Sequence, residues 1–457
     1  MSAALQRHPQ AVAAAAGVAL GAAYSLSPMT VLCVPLLVVL AMWAGRGLSE
    51  SERRWFVSLI AAAVLLRLAV IAVLFLTADP AHPFATLFGD EQFFKSRALW
   101  MRNIGLGVGV SGADIIYAYD EVGRSSYLYL LAYLQALLGD LPYGVHVMNA
   151  TLYLAGVLLV YRYVRPVFGE IAALAGLSLL LFFPSLFVWS ISALKEPIYT
   201  LVAVGELLCC LWLVRARLAW HRVAAAAGLV LAIFALESLR RGGMLVGIAG
   251  AFGGLVLGTL GSRPRLAWAA LAMAPVMAVA LLAVPQVHDR LLGVVRMTAV
   301  YHGGHIMSEG YSYKILDSRY YHDRNLVAAM PTREAAQFVV RSVISYVTEP
   351  VPWRAESAGL RAYLPEQMFW YVLLAFVPFG LVAGFRLDPL LTGLLASHAS
   401  ALIVMVALTS GNIGTLIRHR GLALPYLAWL AGLGFCRVVN YLISNRQVEG
   451  VTPHGDR

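Results

Sequence analysis

The segment WFVSLIAAAVLLRLAVIAVLFLTA, residues 55–78, decides the fold class of this chain. Its one charged residue is Arg67, and the other positions are apolar, Ser or Thr. A helix that crosses the hydrocarbon core of a bilayer needs about 20 mainly apolar residues. The segment is therefore long enough and apolar enough to predict a transmembrane helix.

The composition extends this prediction to most of the chain. Of the 457 residues, 60% are hydrophobic and 13% are charged, and the mean hydropathy is +0.75. A soluble domain is about a quarter charged, so these values exclude a soluble enzyme. Disordered, collagen-like and coiled-coil chains have other compositions. The sequence predicts an all-α polytopic membrane protein.

Twelve apolar runs are candidates for membrane spans. A run somewhat shorter than 20 residues can still cross when flanking side chains snorkel to the interface. We therefore predict about twelve transmembrane helices. The runs are Ala11–Ser27, Val31–Gly45, Trp55–Ala78, Val145–Tyr163, Ile171–Trp189, Ile198–Val214, Val223–Leu236, Met244–Leu260, Leu266–Val284, Phe369–Phe385, Leu390–Leu408 and Leu422–Phe435.

Arginine residues set the predicted orientation, because short cytoplasmic loops are enriched in Lys and Arg. With the N-terminus inside, every short inner segment is basic. We expect a multi-pass protein of the bacterial plasma membrane with both termini cytoplasmic, its N-terminal run kept as a helix rather than cleaved as a signal peptide. Two long extracytoplasmic loops follow, residues 79–144 and 285–367, within one transmembrane domain that covers residues 1–457.

Neither the cysteines nor the charge pattern indicates a cofactor. The four cysteines lie in or beside apolar runs, at spacings typical of neither a disulfide framework nor a metal site. The sequence has no Gly-x-x-x-x-Gly-Lys motif, and no basic domain stands apart from the hydrophobic segments. We predict no cofactor and no nucleic acid partner. A divalent metal is left open, although no ligand pattern indicates one.

The first outer loop carries an acidic pair, Asp90 and Glu91. From Glu91 to Ile104, apolar residues recur at helical spacing, which predicts a helix lying in the membrane interface. A carboxylate at that surface can act as general base toward a hydroxyl or amine. The alternative is structural, with Asp90 as the helix cap and Glu91 in the first turn.

Three short outer connections carry basic residues where the orientation rule expects few. An anionic phosphate is a natural partner for such cations. For each group there is also a structural interpretation, as a snorkelling side chain, a helix-start acid or an interfacial anchor pair, and His419 by itself is weak evidence for catalysis. The candidates for phosphate or substrate binding are Lys195, Glu196, Arg240, Arg241, Arg418, His419 and Arg420.

The second outer loop contains polar and aromatic residues that suit an acceptor site or a lid. The loop is long enough to hold a small set of interfacial helices, for example Thr332–Val347. A metal site is conceivable there, but no zinc-like spacing emerges. The residues concerned are His302, His305, Tyr311, Tyr313, Lys314, Tyr320, Tyr321 and His322.

The order of several short motifs resembles a known family of membrane enzymes. The acidic pair is followed by Tyr127–Leu131, Leu138–Pro142, Val147–Asn149, Val164–Gly169 and Phe183–Ser185, with a weaker similarity at Arg418–Pro425. This order resembles the GT-C glycosyltransferases of the protein mannosyltransferase and lipid A aminoarabinose transferase type. The similarity runs from about residue 90 to residue 201.

The resemblance implies a GT-C-like fold and a function. It implies a donor sugar on a polyprenyl phosphate, an envelope glycan, lipid or protein as acceptor, and catalysis at the outer membrane face beside membrane lipids. Asp90 would be the base, with Glu91 supporting or replacing it. Lys195 would lie near the phosphate-binding turn, and Arg418 or Arg420 would match the late arginine of the family.

Two other classes of protein stay open at this point. A polysaccharide polymerase or an enzyme similar to O-antigen ligases, using polyprenyl-diphosphate oligosaccharides, would also have many spans and outer arginines. A transporter or flippase predicts ionisable residues within spans and broken helices in corresponding halves. Arg67 is the one clear mid-span charge and no halves repeat, so the transporter is the weaker alternative.

Overall fold

The segment that decides the fold class lies in a helix that runs from Glu50 to Leu76. The computed structural model describes residues 17–18, 21, 27–77, 89–121, 123–139, 143–306, 311–355 and 357–449. Within these ranges the regular structure is helical, apart from one isolated bridge between Ser312 and Asn412. The prediction of an all-helical polytopic membrane protein is confirmed.

Nineteen α-helices, numbered here in chain order, follow one another in the described ranges, together with a 3-10 turn at Pro352–Arg354. They are α1 Pro28–Ala44, α2 Glu50–Leu76, α3 Gly89–Gly105, α4 Gly112–Tyr119, α5 Ser126–Leu138, α6 Gly144–Phe168, α7 Glu170–Phe182, α8 Pro184–Ser190, α9 Glu196–Arg215, α10 Ala219–Leu239, α11 Gly243–Gly261, α12 Pro264–Ala283, α13 Pro285–Ile306, α14 Arg319–His322, α15 Arg324–Ala328, α16 Thr332–Thr348, α17 Ala358–Leu387, α18 Pro389–Thr409 and α19 Ile413–Glu449.

Nine of the helices in the described ranges are long and apolar enough to cross a membrane, namely α2, α6, α9, α10, α11, α12, α17, α18 and α19. The pair α7 and α8 passes the same test when taken together, and α1 is a shorter apolar helix. Nine helices, one pair and α1 account for eleven of the twelve predicted runs. The first predicted run, Ala11–Ser27, lies largely outside the described residues, so the count of twelve stays a prediction.

Three predicted boundaries differ from the structure. The run Ile171–Trp189 is interrupted at Phe183, because Pro184 has no N–H to continue the helical ladder and instead starts α8. The helix after the outer turn begins at Glu196, two residues before the predicted run Ile198–Val214. The last helix begins at Ile413, well before the predicted Leu422, because the Asn412 side chain accepts hydrogen bonds from the first amides of α19.

Two predicted outer-loop helices are present. The predicted helix over Glu91–Ile104 is α3, and the predicted helix over Thr332–Val347 is α16. Their place in the membrane interface stays a prediction.

The chain folds into two compact units, each built from segments that are distant in sequence. The first unit contains Met1–Arg162, Leu186–Gly205 and Phe234–Gly243. The second contains Tyr163–Ser185, Glu206–Ile233 and Met244–Arg457.

Within the first unit, the mid-span charge Arg67 of α2 is buried. Its Nε donates a hydrogen bond to Ser190 Oγ at 2.9 Å, and its Nη1 donates to the carbonyl of Ala63 at 3.2 Å. The guanidinium carbon also lies 4.8 Å from the centroid of the Phe187 ring. A charge inside a membrane span is costly unless it is paired or solvated. Arg67 therefore fixes α8 against α2.

Within the second unit, glycines bring helix backbones into direct contact. A Cβ on Gly380 of α17 would lie 1.8 Å from the carbonyl oxygen of Leu430 on α19. A Cβ on Gly434 of α19 would lie 2.0 Å from the carbonyl oxygen of Phe376. Small residues permit this close approach in membrane helix pairs, where van der Waals packing drives association. The core of this unit is built on the packing of α17 against α19.

Candidate active site

The acidic pair lies in the first turn of α3, which begins at Gly89. Carboxylates are favourable there because the helix N-terminus carries partial positive charge. The two side chains differ in environment. Asp90 is exposed, whereas Glu91 is 0% exposed. Of the two, Asp90 is therefore the one open to a molecule that arrives from solvent or from the membrane surface.

Glu91 contacts the connection between α8 and α9. Its Oε1 accepts a hydrogen bond from the backbone N–H of Ala193 at 3.1 Å. Residues Ile191–Lys195, which we call the 191–195 turn, form this connection. Since Asp90 and Glu91 are adjacent, the hydrogen bond holds the start of α3 beside the turn that carries Lys195. The structure thus brings together two groups of predicted site residues.

Lys95 lies one helical turn after Glu91 and is buried with it. Its Nζ is 2.8 Å from His146 Nε2, near the start of α6. Burial lowers the pKa of Lys95 to about 8, while the negative charge of Glu91 acts to raise it. The ammonium therefore contacts an imidazole and is attracted by the negative charge of a neighbouring carboxylate.

His146 connects Lys95 to the 191–195 turn. Its Nδ1 lies 2.8 Å from the carbonyl oxygen of Ile191. A carbonyl only accepts, so Nδ1 carries the proton, and Nε2 is then the acceptor for the Lys95 ammonium. This tautomer is assigned from the two partners of the ring. One neutral imidazole thus contacts both a buried cation and the backbone of the turn.

Asn149, one helical turn after His146, holds the turn at two further carbonyls. Its Nδ2 donates to the carbonyl oxygens of Ser192 at 2.6 Å and Leu194 at 2.7 Å. The same nitrogen lies 3.1 Å from the hydroxyl of Tyr127, and Asn149 is 0% exposed. A buried amide with two N–H groups suits two nearby carbonyls, whereas a carboxylate could donate to neither.

Lys195 and Glu196 lie where the 191–195 turn meets α9. Lys195 is half-buried, and its Nζ is 6.0 Å from the centroid of the Phe94 ring. Glu196 is buried and is the first residue of α9. Phe94 also meets the Tyr127 ring edge to face, with centroids 5.9 Å apart. The Phe94 ring, itself packed against Tyr127, therefore lies beside the Lys195 ammonium.

Arg240 and Arg241 belong to the same unit and follow the end of α10. Arg240 is half-buried and Arg241 is exposed. The turn that carries them is closed by Glu237, whose Oε2 accepts from the N–H of Gly242 at 3.0 Å. Gly242 has φ of +85°, a left-handed conformation that favours glycine. Their predicted role in phosphate binding stays a prediction.

Arg418, His419 and Arg420 belong to the second unit and lie inside α19. Arg418 and His419 are half-buried. Sequence reasoning placed all three in a short outer connection, but the earlier start of α19 puts them in its second and third turns. The predicted role of Arg418 and His419 in phosphate or substrate binding stays a prediction.

Arg420 is 2% exposed and is enclosed by neighbours from α16 and α17. Its Nε donates to the carbonyl of Tyr346 at 2.9 Å, and its Nη1 donates to Gln367 Oε1 at 2.8 Å. Its Nη2 donates to the carbonyls of Tyr346 and Glu349. The guanidinium also lies over the Trp370 ring, 5.3 Å from the centroid. These contacts hold the C-terminal end of α16 against α17 and α19.

The segment before α19 is fixed by the second outer loop. Its glycine, Gly411, faces protein backbone, since an added Cβ would lie 2.4 Å from the carbonyl oxygen of His302. Tyr313 donates through its hydroxyl to the Ser410 carbonyl at 2.6 Å, and His302 Nδ1 contacts the same oxygen at 3.0 Å. Burial lowers the pKa of His302 to about 4, so its ring is neutral near pH 7.

Sequence reasoning missed three residues of the cluster around the 191–195 turn. Lys95 falls within the predicted interfacial helix over Glu91–Ile104, but its residue type alone assigned it no role. Asn149 occurs in one of the motifs that carry the family resemblance, but without an assigned role. His146 gave no signal, because a single histidine at the start of an apolar run has no diagnostic spacing.

No group of three or more His, Cys, Asp or Glu side chains arranged to hold a metal ion occurs in the described part of the chain.

Comparisons with known proteins give one structural similarity. No protein-family model matches the chain, and no curated protein matches it in sequence. The structure is similar to that of the archaeal oligosaccharyltransferase AglB from Archaeoglobus fulgidus in complex with an inhibitory peptide and a dolichol-phosphate, with a TM-score of 0.44 and 14% sequence identity. The similarity covers 90% of this chain, and the chain spans about half of AglB, 53% of its length.

Proposed function

We propose that the chain is a membrane glycosyltransferase that moves a sugar from a polyprenyl-phosphate donor to an envelope acceptor. One observation carries the proposal, the hydrogen bond from Ala193 N–H to Glu91, which holds an exposed carboxylate, Asp90, beside the turn that carries Lys195. A carboxylate that accepts a proton and a cation that meets a departing phosphate are the two groups that this transfer requires.

The transfer needs no further activating group on the donor. The acceptor O–H or N–H bond breaks, and its proton moves to the Asp90 carboxylate. The acceptor atom forms a bond to the anomeric carbon, while the bond between that carbon and the phosphate oxygen breaks. The electron pair of the broken bond goes to the phosphate, which leaves as polyprenyl phosphate. Lys195 stabilises the charge that develops on the departing oxygen.

The environments of the two acids support different roles for them. Asp90 is exposed and can meet an acceptor. Glu91 is buried, and its Oε1 is occupied by the Ala193 amide. We therefore assign the base to Asp90 and a positioning role to Glu91, which aligns α3 with the 191–195 turn.

The orientation expected from the loop arginines puts this site at the extracytoplasmic face of the plasma membrane. A glycan, a lipid or a protein of the envelope is then the acceptor. Arg240, Arg241, Arg418 and His419 are further candidates for donor or acceptor binding, and the contacts of Arg420 support a structural role for that residue.

Asp90→Asn tests the proposal because it keeps the shape of the side chain and removes its basicity. Loss of a general base lowers the rate about a hundredfold to ten-thousandfold. The rate is measured with purified protein, a polyprenyl-phosphate sugar and an acceptor. Asp114→Asn is the matched control, because Asp114 is also in the first turn of a helix of the first outer loop, where its carboxylate caps α4.

Sugar transfer by Asp90→Asn at near the parent rate would exclude Asp90 as the base. If Glu91→Gln is also fully active, the carboxylate mechanism is wrong. Transfer by the parent protein from a polyprenyl-diphosphate oligosaccharide, and not from a polyprenyl-phosphate sugar, would favour the polymerase or ligase instead.

A further inference from the structure

The 191–195 turn is held by side chains at four consecutive residues. The carbonyls of Ile191, Ser192 and Leu194 accept from His146 or Asn149, and the N–H of Ala193 donates to Glu91. All three of these side chains are buried. Polar side chains are costly to bury, and here each one is committed to the backbone of the same turn. The turn is therefore fixed in one conformation before any ligand binds.

His146 differs from the other two side chains because it has two partners of different kinds. Its Nδ1 donates to the Ile191 carbonyl, and its Nε2 accepts from Lys95. Lys95 in turn is attracted by Glu91, which accepts from Ala193. These interactions form a cyclic network: the turn contacts His146, His146 contacts Lys95, Lys95 is attracted by Glu91, and Glu91 contacts the turn. Loss of one interaction in this network weakens the others.

We propose that His146 and Asn149 are positioning residues that fix the 191–195 turn so that Lys195 meets the donor phosphate in a preset place. This inference rests on the proposed function for the identity of the ligand. It goes beyond that function in assigning the shape of the phosphate site to two buried residues that never touch the donor. A turn that is already ordered loses little conformational freedom on binding, which favours affinity.

Two substitutions of His146 separate its two contacts. His146→Asn places an amide nitrogen near the position of Nδ1, so it keeps a donor for the Ile191 carbonyl and loses the acceptor for Lys95. His146→Gln places an amide oxygen near the position of Nε2, so it keeps the acceptor for Lys95 and loses the donor to the turn. A residue with a merely structural role would respond similarly to both changes.

The first measurement is hydrogen exchange of the backbone amides of residues 193–196 in the purified full-length protein. We expect exchange in His146→Gln to rise about threefold to tenfold, the range expected from losing one hydrogen bond. In His146→Asn exchange rises less than in His146→Gln, because the donor to the Ile191 carbonyl is kept and only the interaction with Lys95 is lost. Asn149→Asp, which loses two donors at once, raises exchange further and provides a second test if His146→Gln does not fold. Parent-like exchange in both His146→Gln and Asn149→Asp would overturn the proposal.

The second measurement divides the kinetic effect between KM and kcat. We expect His146→Gln to raise the KM for the polyprenyl-phosphate sugar by about the same factor as the exchange, with a smaller change in kcat. Tyr161→Phe is the matched control. Tyr161 lies on the same helix as His146, about 22 Å away along the axis, and the substitution removes its buried hydrogen bond to Glu52 of α2. Its KM stays at the parent value.

The two measurements also distinguish the two proposals. If the parent protein neither binds nor uses polyprenyl-phosphate sugars, the proposed function is wrong, whatever the exchange shows. If the parent transfers sugar and His146→Gln changes neither amide exchange nor KM, the positioning role is wrong and the proposed function stands. If His146→Gln and Tyr161→Phe lower Tm equally and raise KM equally, His146 is only a structural residue.

Discussion

Replacing Arg420 with Ala should destabilise the second unit. The substitution leaves three buried acceptors without their donor, namely the carbonyls of Tyr346 and Glu349 and the side-chain oxygen of Gln367. A buried acceptor that loses its partner costs about 1 to 3 kcal/mol, so three acceptors cost about 3 kcal/mol or more. At about 2 °C per kcal/mol for a large chain, Tm falls by roughly 6 °C or more.

Thermal unfolding of the purified protein in detergent measures this effect. Arg420→Lys should lose less, because Lys keeps the charge and its donors but lacks the planar fork that reaches all three oxygens. Arg418→Ala is the matched control, since it removes the same side chain from a half-buried position on the same helix and should leave Tm within about 1 °C. If Arg420→Ala unfolds at the parent temperature but has a raised donor KM, Arg420 is a phosphate contact and its structural role is wrong.

Two further predictions follow from Lys195 and His302. Lys195→Met keeps the length of the side chain but removes its charge, so the KM for the donor should rise about tenfold to a hundredfold. Lys195→Arg keeps the positive charge, so its KM should stay close to that of the parent. An unchanged KM in Lys195→Met would mean that the donor phosphate binds elsewhere. Burial lowers the pKa of His302 from 6.5 to about 4. Between these values the unfolded chain binds a proton that the folded chain does not, so stability should fall as pH drops from 6.5 toward 4. His302→Asn keeps a donor for the Ser410 carbonyl and should remove this part of the acid sensitivity; coinciding curves of Tm against pH for parent and variant would contradict the assignment.

The helices were predictable from the sequence because bilayer insertion depends on length and apolarity, which are local properties. The same is true of α3 and α16, whose periodic apolar residues specify a helix without knowledge of the partner. The break at Phe183 was also marked by Pro184, but a long apolar run on both sides concealed it. Boundaries were less accurate where polar residues continue a helix, as they do in α19.

The surroundings of the charged residues were not predictable in the same way. Arg420 and Arg418 are two residues apart and have the same chemistry, yet of the two it is Arg420 that α16 and α17 enclose. His146 and Asn149 gain their meaning from carbonyls more than 40 residues away in the chain. Composition and periodicity give the residue type and the helix face, but not the partner, because the partner depends on how distant helices pack.

The contact between Arg67 and Ser190 has a consequence for how the chain is made. The two residues are 123 positions apart, so at about 5 to 20 residues per second the ribosome needs roughly 6 to 25 s to synthesise Ser190 after Arg67. During that interval α2 lacks the contact of its arginine with Ser190, and an arginine near the centre of a span costs about 3 kcal/mol to insert. Of the nine long apolar helices in the described ranges, α2 is the most apolar. Those additional apolar side chains favour insertion of α2 into the lipid before Ser190 has been synthesised.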